Sequence, residues 1–184
     1  SGTYIAPLIR PLGERVYRKA SVVSVRRDEK GQVLVKCEGQ AETEFDQVVI
    51  AAHGPQALGM LVDADERERE ILGAFRTTAN EAVLHTDESL LPRRRAAWAS
   101  WNYRIQPDKA APATLTYDMN RLQGLPTRER YLVTLNSTPL IAPEKILRRM
   151  SYHHPLYTLD AVRAQARWGE ISGRRNVHFC GAYW

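Results

Sequence analysis

VVSVRRDEKGQVLVKCEGQAETEFDQVVIAAHG, residues 22–54, is the stretch from which the rest of the chain is read. Val22–Val25 is a short β-branched run, and Asp28–Gly31 is a polar turn closed by glycine. Val33–Cys37 then alternates, with Val33, Val35 and Cys37 on one face and Leu34 and Lys36 on the other. A second polar turn around Gly39 leads into Phe45–Ala52, whose VVIAA core is continuously apolar. Two alternating strands followed by an unbroken apolar one predict a meander whose last strand is buried on both faces. The exit at His53-Gly54-Pro55 is sharp, because proline lacks an N–H and glycine tolerates unusual backbone angles. In open α/β sheets, ligands sit beyond the carboxyl ends of such strands.

Outward from this stretch, Thr3–Gly13 carries Ile5, Leu8, Ile9 and Leu12 at helical spacing, with Thr3 as N-cap and Pro11 as terminator. After the meander, Pro55 suits the start of a helix through Leu58 and Leu61. Asp63-x-x-Glu66 reads as a capping box for a helix burying Ile71, Leu72 and Phe75, with the charges at 66–70 on a solvated face. From Thr77 the pattern becomes strand-like. Glu81–Thr86, Trp98–Ile105, Ala113–Asp118 and Tyr131–Asn136 alternate between turns bearing proline or glycine. Pro143 opens a short helix with Ile146, Leu147 and Met150, and Ser151–His154 is a brief strand. Thr158 caps a helix carrying Leu159, Val162 and Ala166, and Val177–Cys180 is a final strand.

The order of these pieces resembles the flavin-containing amine oxidase superfamily, which includes monoamine oxidases, protoporphyrinogen oxidases and carotenoid desaturases. Ser1-Gly2-Thr3-Tyr4 with Leu8 and Leu12 resembles the glycine-led helix that precedes the meander in that family. Asn176–Gly181 resembles the strand and glycine that bring the chain back to the flavin, and HTDESLLPRRRAAWASWNY (85–103) resembles a bacterial branch of the superfamily. The resemblance implies an α+β fragment. Residues 1–58 and 174–184 would be parts of an FAD-binding domain, the β-meander and the returning strand. Residues 59–173 would be a substrate-binding domain with a mixed, largely antiparallel sheet flanked by helices. No strand–G-x-G-x-x-G–helix pattern is found in the sequence, so the resemblance also implies a piece of a longer flavoprotein that alone holds FAD weakly or not at all and is inactive.

The same resemblance assigns cofactor positions. Val22 maps to the valine whose backbone meets the adenine, and His53 and Gly54 map to the turn passing the ADP part of FAD. Gly181 maps to the glycine that lets the backbone approach the pyrophosphate, although Ala182-Tyr183-Trp184 follow where the family carries an acidic residue. On the substrate side, alternation places Trp101 and Tyr103 on one strand face, with Tyr117 and His85 on neighbouring strands. These four are the candidate substrate-binding residues, for a flat amine or a long acyl or polyene chain. The alternative is that the aromatics are core. His85 with Asp87 reads either as an oriented acid/base pair or as a strand-end histidine beside a solvated aspartate. Catalytic residues are not identifiable.

Composition bounds the rest. The 184 residues carry a net charge of +5, with arginine runs at 93–95, 148–149 and 174–175. The runs lack aromatic interleaving, so they read as a solvated rim and no nucleic-acid partner is expected. A rim of this kind also allows a second reading, a free-standing binding domain recognising an acidic or lipid partner. No apolar run approaches the roughly 20 residues of a transmembrane helix. The two cysteines, Cys37 and Cys180, read as buried free thiols of a cytoplasmic protein. His153 and His154 point to opposite faces of a strand, and His178 with Cys180 makes only two ligands, so no metal site is expected. Apolar surface left uncovered in a fragment is expected to drive self-association.

Overall fold

The computed structural model describes residues 4–105, 114–181 and 183–184. Its helices are α1 (Ile5–Ile9), α2 (Gly54–Met60), α3 (Glu66–Gly73), α4 (Met119–Gln123) and α5 (Leu159–Gln165). Its strands are β1 (Val22–Arg27), β2 (Val33–Cys37), β3 (Glu42–Phe45), β4 (Val48–Ile50) and β5 (Thr77–His85). They continue as β6 (Trp101–Arg104), β7 (Thr114–Asp118), β8 (Leu132–Leu135), β9 (Ile146–Pro155) and β10 (Val177–Phe179). The fold is α+β. The chain packs as two compact units, residues 1–76 with 155–184, and residues 77–154.

In the first unit, β1, β2 and β3 form the antiparallel meander, with Val25 opposite Val35 and Val33 opposite Phe45. The third strand departs from the sequence reading. Instead of one strand over Phe45–Ala52, the chain bends at Asp46–Gln47. Phe45 closes the meander, and β4 joins β10 in a separate parallel pair, Val48 opposite Val177 and Ile50 opposite Phe179. The two polar residues have no place in an apolar strand, and they make the step from one sheet to the other. Nor is β4 covered on both faces: Ile50 is buried, while Val49 is 62% exposed.

The core of this unit gathers Val25 and Val33 from the meander, Ile50, Val177 and Phe179 from the parallel pair, and Ile71, Leu72 and Phe75 from α3 and its end. As expected, α3 buries that apolar triplet, but its cap lies two residues later than Asp63-x-x-Glu66. Asp65 accepts from the Glu68 N–H at 2.9 Å, and the Glu68 carboxylate accepts from the Asp65 N–H at 2.8 Å. Asp63 is engaged elsewhere, accepting from the backbone and the guanidinium of Arg27 at 3.0 and 2.8 Å. Glu68 is therefore not on a solvated face. It is 1% exposed and pairs with Arg27, while Arg175 donates to its other side at 3.2 Å. The Arg174–Arg175 run, read as solvated rim, is tied down: Arg174 reaches Asp65 at 3.4 Å.

Other sequence readings are corrected in the same way. Thr158 caps α5 as expected, accepting from the Ala161 N–H at 3.1 Å, but the buried face is Ala161 and Ala164. Leu159 and Val162 face outward, because the two alanines allow α5 to lie close on α3. Pro11 ends α1 as expected, and the chain continues as a 3₁₀ turn. Ile5, Leu8, Ile9 and Leu12 are nevertheless exposed, and Thr3 lies outside the described residues. Cys37 is half-buried and Cys180, just past β10, is exposed; both are free thiols.

In the second unit, the strands stack in the order β6-β7-β8-β5-β9. The helix expected after Pro143 is a single 3₁₀ turn over Pro143–Lys145, and Ile146, Leu147 and Met150 belong instead to the ten-residue β9. Pairing along the sheet edge overrides a spacing that suits either structure. A small core of Val83, Leu90 and Ile141 lies on one side of the sheet.

The buried Arg27–Glu68 pair yields a stability prediction. Glu68→Ala takes from Arg27, whose side chain is 4% exposed, the buried one of its two carboxylate partners and leaves it Asp63 alone. The loss expected in urea unfolding is about 3–5 kcal/mol. Arg69→Ala, on the exposed side of α3, is expected to stay within about 0.5 kcal/mol.

Candidate functional site

The five-stranded sheet has two unlike faces, and the strand register says which residues share each. Trp101 stands opposite Tyr117, Tyr117 opposite Val133, and Val133 opposite Leu84. A second row runs Tyr103, Leu115, Leu135, Ala82. These eight side chains form one face, all of them apolar or aromatic. The other face carries Thr114, Thr116, Asp118, Thr134 and His85 beside Val83 and Leu132, with Asn102 and the exposed Arg104 at its β6 edge.

Burial inverts the usual arrangement. The polar face is the buried one: His85, Asp118 and Thr134 are each 0% exposed, and Thr116 is 2% exposed. The apolar face is the more open one: Trp101 and Tyr103 are each 64% exposed, Leu84, Leu115, Tyr117, Val133 and Leu135 are half-buried, and Ala82 is buried. An apolar face left open above a buried polar layer is the mark of a surface meant to be covered by something else. Trp101 and Tyr117 meet edge to face, ring centres 5.7 Å apart.

The polar layer is satisfied internally. His85 Nδ1 accepts from the Asp87 N–H at 3.1 Å, so the ring proton sits on Nε2, which donates to Thr134 Oγ1 at 2.8 Å. Thr134 Oγ1 is in turn 2.8 Å from Thr116 Oγ1, and Thr114 bonds Ser137 at 2.8 Å. Burial pushes the His85 imidazole below its ordinary value, and the nearby Asp87 carboxylate only partly opposes it. Asp87 is not solvated; it is 3% exposed. Burial pushes its carboxyl up, but N–H donors from Ala142 and Ser89, together with Lys145, overcome this and hold it at about 2. Its carboxylate serves those donors and not the imidazole.

Trp101, Tyr103 and Tyr117 thus share the open face, and His85 lies on the opposite one. His85 and Tyr117 are not on adjacent strands, since β8 runs between β5 and β7. Ala82, Leu84, Leu115, Val133 and Leu135 complete the face, and the sequence reading did not single them out. Their signal was present in the alternation Thr-Leu-Thr-Tyr at 114–117, but there the threonines are the buried partners.

In the first unit, β4 and β10 run parallel, so the turns after them leave at the same end. Cys180 N–H donates to Ile50 O at 3.0 Å, and a Cβ on Gly181 would lie 3.4 Å from the Ala52 carbonyl oxygen, just before His53–Gly54. Gly54 is buried at a close approach: a Cβ there would lie 2.8 Å from Phe75 Cβ and 2.9 Å from the Leu72 carbonyl oxygen. A Cβ on Gly181 would meet the Tyr183 ring at 2.5 Å. Tyr183 packs tilted against Phe75, ring centres 4.6 Å apart at 59°, so the chain's own aromatics fill the space beside that glycine. Val22 stands apart from these three. It begins β1 where the ladder slips between Val22 and Ser24, and it lines a concavity of about 820 Å³ with Tyr17, Val35, Cys37 and Phe45.

Residues 3–134 match the family described as flavin containing amine oxidoreductase. The chain belongs to this family. Among solved structures, it resembles a fatty acid isomerase from P. acnes that produces CLA, at 18% identity and TM-score 0.62, over 95% of this chain and 45% of that one. It also resembles cyclohexylamine oxidase from Brevibacterium oxydans IH-35A, at 12% identity and TM-score 0.62, over 96% of this chain and 45% of that one. Putrescine oxidase with putrescine bound aligns at 12% identity and TM-score 0.57, over 95% and 45% of the two chains. No curated protein sequence matched. The chain spans about 45% of the length of each of these structures, and the likeness at such identities is one of fold.

Membership of a flavin family implies FAD in full-length relatives. The residues here fit such a group in part. The concavity at Val22 has the volume of a small-molecule site. The glycine-rich turn that cradles phosphates is absent from the sequence, and the space at Gly181 is filled by Tyr183.

The neutral, buried His85 makes stability depend on pH. Its folded pKa lies below the unfolded value of about 6.5, so the unfolded chain takes up the proton first. The stability is full above about pH 6.5 and falls as the pH drops below it. Urea midpoints taken from about pH 7.5 down to about pH 5.5 are expected to decline, and His85→Gln is expected to remove that part of the decline.

Proposed function

We propose that this chain supplies the substrate-binding portion and part of the FAD-binding portion of an FAD-dependent oxidoreductase that oxidises a C–N or C–C bond of a small molecule. Residues 77–154 form the substrate side, and residues 1–76 with 155–184 contribute to the cofactor side. The observation that carries the reading is the open apolar face over a fully bonded polar layer, in a chain that belongs to a flavin family.

FAD, when bound, accepts the hydride removed from the substrate. The chain's own residues position and shield. Trp101, Tyr103 and Tyr117 hold the substrate against the sheet and exclude water from it. The His85–Thr134–Thr116 chain keeps that face rigid from beneath and delivers no proton to it. Val22 offers its backbone to the adenine, and His53, Gly54 and Gly181 line the turns beside the ADP part. A proton-transferring catalytic residue is not assigned.

The reading of a free-standing domain with a basic rim loses support, since Arg174 and Arg175 already serve Asp65 and Glu68. Among the described residues no helix is long and apolar enough to cross a membrane. Two free thiols, one exposed, suit the reducing cytoplasm in which we place the protein.

The polypeptide from the complete open reading frame is expected to purify with bound flavin and to bleach it anaerobically with substrate. A colourless, flavin-free product overturns the assignment. The 184-residue chain alone is expected to hold FAD weakly or not at all, and a titration showing micromolar or tighter binding overturns the division of labour. Its exposed Ile5, Leu8, Ile9 and Leu12 are expected to drive self-association, visible as concentration-dependent sedimentation.

A further inference from the structure

We infer that the outer edge of β9 is a docking site for an acidic, extended segment of a partner protein, which joins the five-stranded sheet as a further strand. The edge lies apart from the eight side chains assigned to substrate, none of which is on β9. In the order β6-β7-β8-β5-β9, the only strand beside β9 among the described residues is β5. Its other side presents a row of backbone N–H and C=O groups, a ready template for strand addition. The length is unusual for an edge, since natural sheets keep such strands short. β9 runs for ten residues, about 33 Å, whereas the opposite edge, β6, runs for four. Most of its side chains are exposed, and no proline interrupts it before Pro155.

The side chains decide what can pair there. The strand, ILRRMSYHHP, contains no acid. Arg148, Arg149, His153 and His154 are exposed, and among the described residues none of them makes an ion pair or a side-chain hydrogen bond. In this they differ from Arg174 and Arg175, which are paired with Asp65 and Glu68. A second copy of β9 laid alongside brings no acid against these groups in any register, and arginine opposite arginine is repelled. A strand carrying glutamates instead sets carboxylates against guanidiniums that have no other partner. Leu147 and Tyr152, 53% and 49% exposed, add apolar contact on either side of the charges. The same charges that discourage pairing between copies therefore select an acidic strand.

The test is a fluorescence-anisotropy titration of the 184-residue chain, at low salt, with a labelled peptide of about ten residues in which Glu-Glu pairs separate Val-Thr pairs. The acidic peptide is expected to bind, and a version with lysine for glutamate to bind at least about tenfold more weakly. N-methylation of every peptide amide keeps the charge but removes the ladder donors, and is expected to weaken binding at least about tenfold. Arg148→Glu combined with Arg149→Glu alters exposed side chains, so the fold is expected to survive, which circular dichroism checks. This double variant is expected to weaken binding about tenfold. Arg93→Glu combined with Arg94→Glu, in the turn leading to the opposite edge, is expected to leave binding unchanged. Binding indifferent to N-methylation marks a contact made by charge alone and overturns strand addition. Equal loss in the two double variants overturns the edge as the site. Failure of the acidic peptide to bind overturns the proposal outright, and a chain dimer dissociated by the Arg148 and Arg149 variant assigns the edge to a second copy instead.

Discussion

Arg27 enters the interior of the first unit with only 4% of its side chain exposed, and much of the surrounding structure follows from the need to neutralise it. A buried guanidinium is tolerated only where anions and acceptors surround it. Here those come from places far apart in sequence: Asp63 in the loop before α3, Glu68 inside α3, and through Glu68 the arginine that precedes β10. One cluster thereby joins the end of β1, the entry to α3 and the approach to the returning strand. The apolar packing of Ile71, Phe75 and Phe179 supplies cohesion, but hydrophobic contact is not directional. The ion cluster adds the direction, specifying which segments meet.

The second unit solves a different problem. Its sheet keeps the polar residues of the alternation inside and shows the apolar ones outside. That inversion is tolerable only because the hydroxyls and the imidazole bond one another at hydrogen-bond distance and the carboxylates find N–H donors or arginine. His85 is thus a structural member of the layer, although its neighbourhood with Asp87 in sequence suggested acid/base work. Trp101 and Tyr103 are exposed and Tyr117 is half-buried, all outside the small core of Val83, Leu90 and Ile141.

How much of this was legible before the coordinates depends on whether the deciding interaction was local. Helix caps and turns depend on near neighbours, so the Thr158 cap, the Pro11 stop and the first hairpin of the meander were readable from spacing alone. The bend at Asp46–Gln47, the two-residue shift of the α3 cap and the burial of Glu68 depend on partners tens of residues away, which no local pattern records. The first half of the strand over Ile146–Pro155 was misread for the same reason, since its spacing suits a helix until β5 is known to lie beside it, whereas Ser151–His154 was read as strand. Which face of the sheet was covered was also hidden, because alternation separates two faces without saying which one meets solvent.

That separation has an evolutionary corollary. Along each strand of the second unit, every other residue belongs to the hydroxyl layer and the intervening residue to the exposed surface. Exchanging Tyr103 or Leu115 for another side chain leaves the bonds of Thr116 and Thr134 intact, because those groups point the opposite way. A sheet built like this lets selection remodel its exposed surface one position at a time while the supporting lattice beneath stays untouched. Such modularity is one physical route by which a single scaffold comes to serve chemically unrelated molecules.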